Sequence, residues 1–446
     1  MTKIKAAITA SLLLLLISCN TQRNLEQINL AHLYQEQGVV LKPLFRVFHF
    51  NKDSTRVFFE GSSDQLLYVK EQSQNDFIAR IGIRYRLYTD YQLTTLIDSG
   101  STTITDIQPN PKTSIVSGFF DLYFDRHSHN DKYVLEVLLS DENRNLAYID
   151  LINIDRSDKQ CAQTFLMTTP GNRVIFRNNY FLNVPFYLRH NTNAATYKVR
   201  YYNREFPVAT PPYAKNVDQS FSYKADSIWT ISASDSIKLS MPGFYHFQVD
   251  ESSKAGFTVF CFYNEFPLIT RKANLGPPLR YLTTNEEFAA IDVEDPDKMK
   301  LEADKFWLKM AGTVERGRML VSAYYGRVEM ANLYFTSYIE GWKTDRGIIY
   351  TILGPPTEVT RNEFQEFWIY GDPNSSLQHV YTFSKLGNPF TDNDYALSRS
   401  NSFRYSWGQA IEAWRNGQIY SIKEIKRAQD ERDRQQRANT PPYFWY

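Results

Sequence analysis

The chain contains few cysteines and histidines and lacks the common catalytic signatures. It has 3 cysteines and 7 histidines in 446 residues. No G-x-S-x-G, H-E-x-x-H, P-loop or Cys-x-x-Cys pattern is present, and these patterns position a nucleophile, a catalytic zinc, a phosphate or a redox pair. The sequence therefore identifies no catalytic residue and no cofactor, and we expect a protein that is not an enzyme.

One polar segment does hold two histidines close together. His127 and His129 are flanked by Asp125 and Asp131, and imidazole and carboxylate groups are metal ligands. The segment is polar throughout and lies between two predicted strands, which is typical of a solvated loop. We therefore predict no metal site there.

The chain also has almost no net charge, +1 at pH 7, and no basic block. Its 50 lysines and arginines nearly balance 49 aspartates and glutamates. No basic run is interleaved with aromatic residues that could stack on bases, as expected of a nucleic-acid-binding surface. Nucleic acid is therefore not among the predicted partners.

A hydrophobic run long enough to cross a bilayer is missing at the N-terminus. Two lysines precede an apolar run at residues 6–17, which is shorter than the roughly twenty residues of a transmembrane helix. We therefore predict a signal peptide at residues 1–18. The sequence Leu16-Ile17-Ser18-Cys19 resembles the lipobox of bacterial lipoproteins, which implies that the thiol of Cys19 carries a lipid. A plain signal peptide with an incidental cysteine is the alternative.

The predicted lipid makes the mature chain a soluble body anchored to a membrane. Stable anchoring needs more than one acyl chain, and the lipidated terminus of a lipoprotein carries several. Residues 20–24 contain no acidic cluster, whereas surface-exported lipoproteins often have one after the cysteine. We therefore expect an outer-membrane protein that faces the periplasm, with residues 19–38 as a tether in which residues 25–38 could also form a short helix.

Aromatic residues and regular alternation predict β-structure over much of the chain. Tyrosine and phenylalanine number 30 each, and strand-like runs recur about every ten residues between turn-forming segments. Such spacing is typical of immunoglobulin-like β-sandwiches. We predict two of them in tandem, at residues 39–157 and 158–275, although no sequence repeat relates them.

Two cysteines remain besides Cys19. Cys161 and Cys261 fall at the start of the second predicted sandwich and in one of its late strands. In an oxidising compartment such a pair can form a disulfide. The alternative is two buried thiols on separate strands, and their spacing does not decide between the two.

The pattern becomes helical near residue 284. Thr284 and Asn285 precede two glutamates, which is an N-terminal capping signal. Apolar residues then recur at helical spacing, which predicts two amphipathic helices broken near residues 312–317. Further helices are predicted at residues 405–416 and 419–438. The aromatic residues 443–446 are predicted to pack on the protein's own surface, and packing on a partner is the alternative. Residues 284–446 thus form an α+β module, and the chain as a whole is predicted to be mostly β with an α+β C-terminal part.

A short signature follows the second of these helices. Gly341-Trp342-Lys343-Thr344-Asp345 is followed by Arg346-Gly347, an apolar run and Gly354-Pro355-Pro356. This segment resembles the GWxTD domain, a family of bacterial proteins, and Gly341, Trp342, Thr344 and Asp345 match the residues that name it. The likeness extends over about residues 295–385. It implies a module of that family without implying an activity.

The first signature residues have predicted structural roles. Gly341 suits a left-handed residue that ends a helix, and Trp342 offers a large apolar face for burial. Thr344 and Asp345 carry short side chains that can bond backbone N–H groups one or two residues on.

The rest of the signature reads as the start and end of a strand. Gly347 permits a bend, residues 348–353 are apolar, and Pro355 and Pro356 end the strand. We therefore predict a helix–turn–strand corner. Asp345 and Arg346 could instead form a site, but no histidine or second acid in the signature completes an acid–base pair.

These observations predict a lipid-anchored cell-envelope protein that binds or scaffolds components of an outer-membrane or secretion assembly. Its expected partners are the membrane, through the lipid on Cys19, and another envelope protein. The alternative is an envelope enzyme of unknown reaction with a site near the signature. Such an enzyme would need acids or histidines that distant parts of the chain bring into one cleft.

Overall fold

The computed structural model of the chain describes residues 24–35, 41–70, 76–92, 95–124, 131–215, 222–371 and 378–421, together with residue 434. The predicted signal peptide and Cys19 lie outside these residues, as do Asp125, His127, His129 and the aromatic tail at 443–446. Most of the predicted helix at 419–438 also lies outside them.

The first part of the chain folds as a sandwich of two antiparallel sheets. Its strands are β1 Leu44–His49, β2 Ser54–Ser62, β3 Val69–Lys70, β4 Phe77–Tyr88, β5 Leu96–Gln108, β6 Ile115–Tyr123, β7 Lys132–Asp141 and β8 Leu146–Asp155. One sheet has the order β1-β2-β6 and the other β5-β4-β7-β8, with the short β3 beside the start of β4. Val57, Phe59 and Leu122 from the first sheet share a core with Ile83, Leu135 and Val137 from the second. The sheet of β1, β2 and β6 therefore faces the sheet of β4, β5, β7 and β8, which is an immunoglobulin-like distribution of strands.

The second part repeats this arrangement with shorter strands. These are β9 Phe165–Thr168, β10 Tyr187–His190, β11 Thr196–Tyr202, β12 Ser227–Ser232, β13 Gly243–Gln248 and β14 Phe257–Cys261. The strands β9 and β10 pair, a bridge from Phe186 to Ile237 extends them, and the facing sheet has the order β12-β11-β13-β14. The prediction of two tandem sandwiches is confirmed, since both sheets of the second part also enclose a single core.

The predicted alternative of a disulfide between Cys161 and Cys261 is wrong, because both thiols are free. Cys261 ends β14 and is enclosed in the core of the second sandwich. Cys161 lies before β9, where its sulfur is 3.3 Å from the backbone oxygen of Asp155. Burial raises the pKa of the Cys161 thiol to about 12 and that of Cys261 to about 11.

Within the described residues, the last part combines five α-helices with a small sheet. The helices are α1 Asn285–Ile291, α2 Pro296–Ala311, α3 Val314–Phe335, α4 Asp345–Leu353 and α5 Phe403–Arg415. The strands β15 Glu358–Arg361, β16 Gln365–Tyr370, β17 His379–Lys385 and β18 Tyr395–Leu397 form an antiparallel sheet in that order. The capping signal at Thr284 is confirmed, because Thr284 and Glu287 form a reciprocal capping box. The two predicted amphipathic helices are α2 and α3, and they are separated at Gly312, where φ is +75°.

The predicted strand at residues 348–353 is wrong, because these residues belong to the helix α4. The side chain of Thr344 accepts a hydrogen bond from the backbone of Gly347 and so begins the helix. Every residue of α4 is buried, and a helix that is buried on all sides carries apolar residues on every face, as residues 348–353 do. A short apolar run of this kind does not distinguish a buried helix from a buried strand.

The predicted tether at residues 19–38 is also wrong for the part that is described. Residues 24–35, which we call the N-terminal segment, form two 3-10 helices at Leu25–Gln27 and Ala31–Tyr34. Leu25 and Leu30 are fully buried in a core that also contains Leu151 of β8 and residues of α2 to α5. The N-terminal segment therefore joins the first sandwich to the α+β part. No helix in the described residues is long and apolar enough to cross a membrane.

Candidate functional site

The two glycines of the signature allow backbones to touch. The 3-10 helix Gly341–Lys343 packs on α3 so closely that a Cβ atom on Gly341 would lie 1.9 Å from the backbone oxygen of Ala331. A Cβ atom on Gly347 would lie 1.8 Å from the oxygen of Gly341. The predicted left-handed role of Gly341 is wrong, since its φ is not positive, whereas Gly354 does end α4 with a φ of +82°.

Trp342 is buried as predicted, whereas Thr344 bonds a backbone N–H three residues on rather than one or two. Trp342 is 4% exposed, and its backbone N–H donates to Oδ1 of Asn332 at 3.2 Å. The hydroxyl of Thr344 donates to the oxygen of Gly341 at 2.7 Å and accepts from the N–H of Gly347 at 3.0 Å. These bonds fix the 3-10 helix to the start of α4.

Asp345 forms a buried ion pair rather than a local turn. Its Oδ2 atom accepts from the backbone N–H of Leu397 at 2.7 Å and from Nη1 of Arg399 at 3.1 Å. Its other carboxylate oxygen accepts from Nη2 of the same arginine, so the contact is the bidentate fork that guanidinium geometry favours. The acid at the start of α4 is thereby joined to β18 and the loop that follows it.

The next signature residue, Arg346, faces a second buried acid, Glu366 on β16. Nη1 of Arg346 lies 3.6 Å from Oε1 of Glu366, and the same oxygen accepts from Nε1 of Trp368 at 2.7 Å and from the hydroxyl of Tyr34 at 2.9 Å. The other oxygen, Oε2, accepts from Nε of Arg361 at 3.0 Å and lies 2.9 Å from Nη2 of the same guanidinium. We call Tyr34, Arg346, Arg361 and Glu366 the ion cluster.

The second positive charge of the ion cluster is stabilised by neutral groups. Arg346 donates to the backbone oxygen of Asn393 at 3.1 Å and also to its side-chain oxygen. Its guanidinium lies over the ring of Tyr395 at 3.9 Å and over that of Phe335 at 5.1 Å. Such cation–π contacts gain strength when they are shielded from water.

Burial and charge act in opposite directions on Glu366. Burial alone would raise the pKa of its carboxyl, but the guanidiniums of Arg361 and Arg346 and the bonds from Trp368 and Tyr34 hold that pKa below its usual range. Burial raises the pKa of Tyr34, and the charge of Glu366 raises it further. The cluster therefore holds a carboxylate ion and a neutral phenol near neutral pH.

The ion cluster is closed to a dissolved substrate. The side chains of Glu366, Arg346 and Arg361 are 0%, 3% and 16% exposed. Each carboxylate oxygen of Glu366 already accepts hydrogen bonds, and Asp345 is paired with Arg399. A substrate would have to displace this packing to meet either acid, so the arrangement is suited to holding α4, β16 and the N-terminal segment together.

An open cleft lies on the other side of Arg399. It has a volume of about 750 Å³ and is enclosed by the loop 206–215 of the second sandwich, the segment before α1 and the helix α5. Its walls include the rings of Tyr213, Tyr281 and Trp407 and the side chain of Ile411. Ligand sites are commonly concave and mostly apolar, with volumes of roughly 300–1,000 Å³.

The residues 243–416 match the model of the GWxTD domain. The chain carries a GWxTD domain. The match begins at β13, within the second sandwich, and ends directly after α5, so the GWxTD domain includes strands that precede the predicted boundary at residue 284. None of the curated proteins compared with the chain matches it.

The cleft of the GWxTD domain also carries charged side chains. Arg415 donates to both oxygens of Glu287, at 2.7 and 3.2 Å, and holds the pKa of that carboxyl down at about 2. Arg280 lies over the ring of Phe288 at 5.4 Å, and within the described residues it forms no ion pair. Glu412 is the acid of the lining. The cleft therefore offers aromatic rings within a mixed polar and apolar lining, with Arg280 at its rim.

Arg399 connects the cleft to the signature through hydrogen bonds. The backbone oxygen of Thr210, which lines the cleft, accepts from Nη2 of Arg399 at 3.2 Å. Arg399 is in turn the partner of Asp345. No local pattern in the sequence identifies Tyr34, Arg361, Glu366 or Arg399. The alternation of β16 could have revealed the burial of Glu366, because Glu366 lies on the same face of the strand as Trp368 and Tyr370, which are also buried.

Proposed function

We propose that this protein is a lipid-anchored accessory of the bacterial cell envelope and that it binds an extended segment of a partner protein in the cleft. The observation that carries the proposal is the cleft itself, which lies open between the second sandwich and α5 of the GWxTD domain. Its aromatic walls suit apolar side chains, and Arg280 at the rim suits an acidic one.

The anchor is part of the same proposal. The lipobox-like sequence that ends at Cys19 supports attachment of the mature chain to a membrane through a lipid. The absence of an acidic cluster at residues 20–24 supports an outer-membrane protein facing the periplasm. A scaffolding protein in that position would hold its partner beside the membrane.

Binding is better supported than catalysis at this site. General acid–base chemistry needs a positioned group that can take up or release a proton. The acids of the signature region are neutralised by arginines, and the described lining of the cleft contains one acid, Glu412, and no histidine. Among the residues around the cleft we therefore assign no catalytic role.

A substitution at Gly408 tests the role of the cleft. Gly408 is part of the lining, and a Cβ atom there would have no neighbour within 4 Å. Gly408→Phe should fill the cleft without disturbing α5 and should lower recovery of a crosslinked partner from native membranes about tenfold, equivalent to a loss of about 1.4 kcal/mol.

The matched control is Gly408→Ala, which leaves the cleft open. Alanine in place of a helical glycine should stabilise α5 by up to about 1 kcal/mol and should keep the partner. Unchanged partner recovery with Gly408→Phe would contradict binding in the cleft. If the protein converts a small envelope substrate and Gly408→Phe abolishes that conversion, the alternative of an envelope enzyme is favoured instead.

A further inference from the structure

The N-terminal segment fixes where the proposed anchor leaves the folded protein. The N–H of Leu25 donates to the oxygen of Tyr91 at 3.1 Å, and Nε2 of Gln92 donates to Oε1 of Glu26 at 3.0 Å. Tyr91 and Gln92 follow β4, so residue 24 lies at the end of the first sandwich where β4 ends and β5 begins. Leu25 and Leu30 are fully buried, and they hold this exit in place.

We propose that this end of the first sandwich rests against the lipid surface of the membrane. The proposal rests on the lipidation of Cys19. Between Cys19 and Asn24 lie only residues 20–23, and five steps of fully extended chain reach at most about 18 Å. The acylated residue must enter the membrane within that distance of the exit point, so the body cannot stand far from the bilayer.

The surface around the exit is suited to a lipid interface. Leu96, Tyr123 and Phe364 are 51%, 64% and 67% exposed. Leu96 begins β5 opposite Tyr88, and the N–H of Tyr123 donates to Oδ2 of Asp98 at 3.1 Å. Aromatic and apolar side chains of this kind sit favourably at the boundary between headgroups and acyl chains.

Phe364 reaches the same end from the GWxTD domain. It lies in the turn between β15 and β16, and its neighbour Glu363 pairs at 3.6 Å with Lys132, the first residue of β7. The strand β7 starts beside the end of β4, since Val134 pairs with Tyr88. The first sandwich and the GWxTD domain therefore both contribute to the surface that we assign to the membrane, which we call the membrane face.

A fluorescent probe on a single strand tests the orientation. Tyr123 and Ile115 are both exposed and stand on one face of β6, at its opposite ends, which eight steps of strand separate by about 26 Å. A cysteine introduced at either position carries an environment-sensitive dye. In the control, the full-length chain without an introduced cysteine is treated with the same dye, which shows how far the native thiols are labelled. The labelled proteins are reconstituted in vesicles of phosphatidylethanolamine and phosphatidylglycerol.

The membrane face predicts opposite quenching at the two sites. With Tyr123→Cys, brominated lipids should quench the dye and aqueous iodide should not, whereas Ile115→Cys should show the reverse. Phe364→Cys should behave like Tyr123→Cys. Insertion of about twenty glycine and serine residues after residue 20 adds roughly 25 Å of flexible reach and should restore iodide quenching at Tyr123→Cys.

Mass spectrometry of the N-terminus separates the two possible failures. Equal iodide quenching at both sites in a chain that carries acyl groups on Cys19 would overturn the membrane face and leave the anchor intact. An unmodified Cys19 in the mature chain would refute the anchor, and the membrane face with it.

Discussion

The hydroxyl of Tyr34 donates a 2.9 Å hydrogen bond to Oε1 of Glu366, across 332 residues of sequence. The backbone oxygen of Tyr34 also accepts from the hydroxyl of Tyr350 in α4 at 2.9 Å. The N-terminal segment is therefore bonded to both the helix and the sheet of the GWxTD domain. The stability of that domain should depend on residues that lie far outside the family match.

Removing the charge of Glu366 should destabilise the protein strongly. Glu366→Gln keeps the size of the side chain but leaves the buried guanidiniums of Arg346 and Arg361 without their carboxylate. Breaking a buried pair in this way typically costs about 3–5 kcal/mol. We expect a loss of that size in the free energy of unfolding, measured by urea denaturation.

A surface pair provides the control for this substitution. Asp304 pairs with Lys300 on α2, and both side chains are about half exposed. Asp304→Asn should change stability by less than about 1 kcal/mol, because exposed ion pairs contribute little. Similar losses in the free energy of unfolding for the two variants would show that the ion cluster stabilises the protein no more than an exposed ion pair does. Since the folded pKa of Glu366 is depressed, its contribution is present above the ordinary carboxyl pKa and disappears as the pH falls through the folded value.

Alanine at Gly341 should prevent the GWxTD domain from folding normally. Its Cβ atom would meet the backbone of α3 at less than 2 Å, and backbone cannot rotate away as a side chain can. Gly326→Ala is the matched control, because Gly326 lies within α3 and a Cβ atom there has no neighbour within 4 Å. Circular dichroism melting should show a large loss for Gly341→Ala and a gain of up to about 1 kcal/mol for Gly326→Ala. A normal melt for Gly341→Ala would contradict the close contact.

Two buried histidines should make stability fall in mild acid. Nε2 of His49 donates to the oxygen of Asp155 and Nε2 of His246 to that of Lys254, while each Nδ1 faces a threonine hydroxyl. Burial lowers the pKa of both to about 4 from an ordinary 6.5. The unfolded chain binds more protons between these values, so stability is complete above pH 6.5 and is lost as the pH falls towards 4.

The slope of stability against pH measures this effect. Each histidine should contribute about 1.4 kcal/mol per pH unit in the middle of the window. His246→Gln should reduce the slope by that amount, whatever the substitution does to stability at pH 7. The slope depends only on how many more protons the unfolded chain binds than the folded protein. An unchanged slope would mean that His246 is charged in the folded protein.

Replacing the predicted lipidated cysteine should change where the protein is found. Cys19→Ala removes the thiol that would carry the lipid, so the protein should appear in the soluble envelope fraction or keep its signal peptide. Cys161→Ala, which alters a thiol inside the fold, should stay with the membrane. Normal processing and membrane attachment of Cys19→Ala would refute the lipoprotein proposal.

Periodic features of the chain could be predicted from the sequence. Alternation gave the strands of both sandwiches, and the capping residues at Thr284 gave the start of α1, because each depends on neighbours within a few residues. Burial of Trp342 followed from its size and position. The packing of the aromatic tail at 443–446 stays a prediction, since those residues lie outside the described part.

Contacts between distant residues could not be predicted in the same way. Asp345 looked like a turn residue because its partner, Arg399, is 54 residues away. Gly341 looked like a helix stop because a sequence does not reveal how closely two backbones approach. Residues 24–35 looked like a tether although Leu25, Ile28, Leu30, Leu33 and Tyr34 lie among them, because the surface that covers these side chains includes β15, which lies far along the chain.

The burial of the N-terminal segment also sets the order in which the protein can mature. Leu25, Leu30 and Tyr34 are synthesised long before β15 and β16, which complete their binding surface. Until residue 366 has been synthesised, these side chains remain without a core, and such long-range contacts form slowly. The first sandwich can fold early, whereas the GWxTD domain can complete its core only when both the N-terminal segment and the strands β15 and β16 have been synthesised. A truncated chain that ends before β16 would therefore expose apolar surface at its beginning, where chaperones and proteases could act on it.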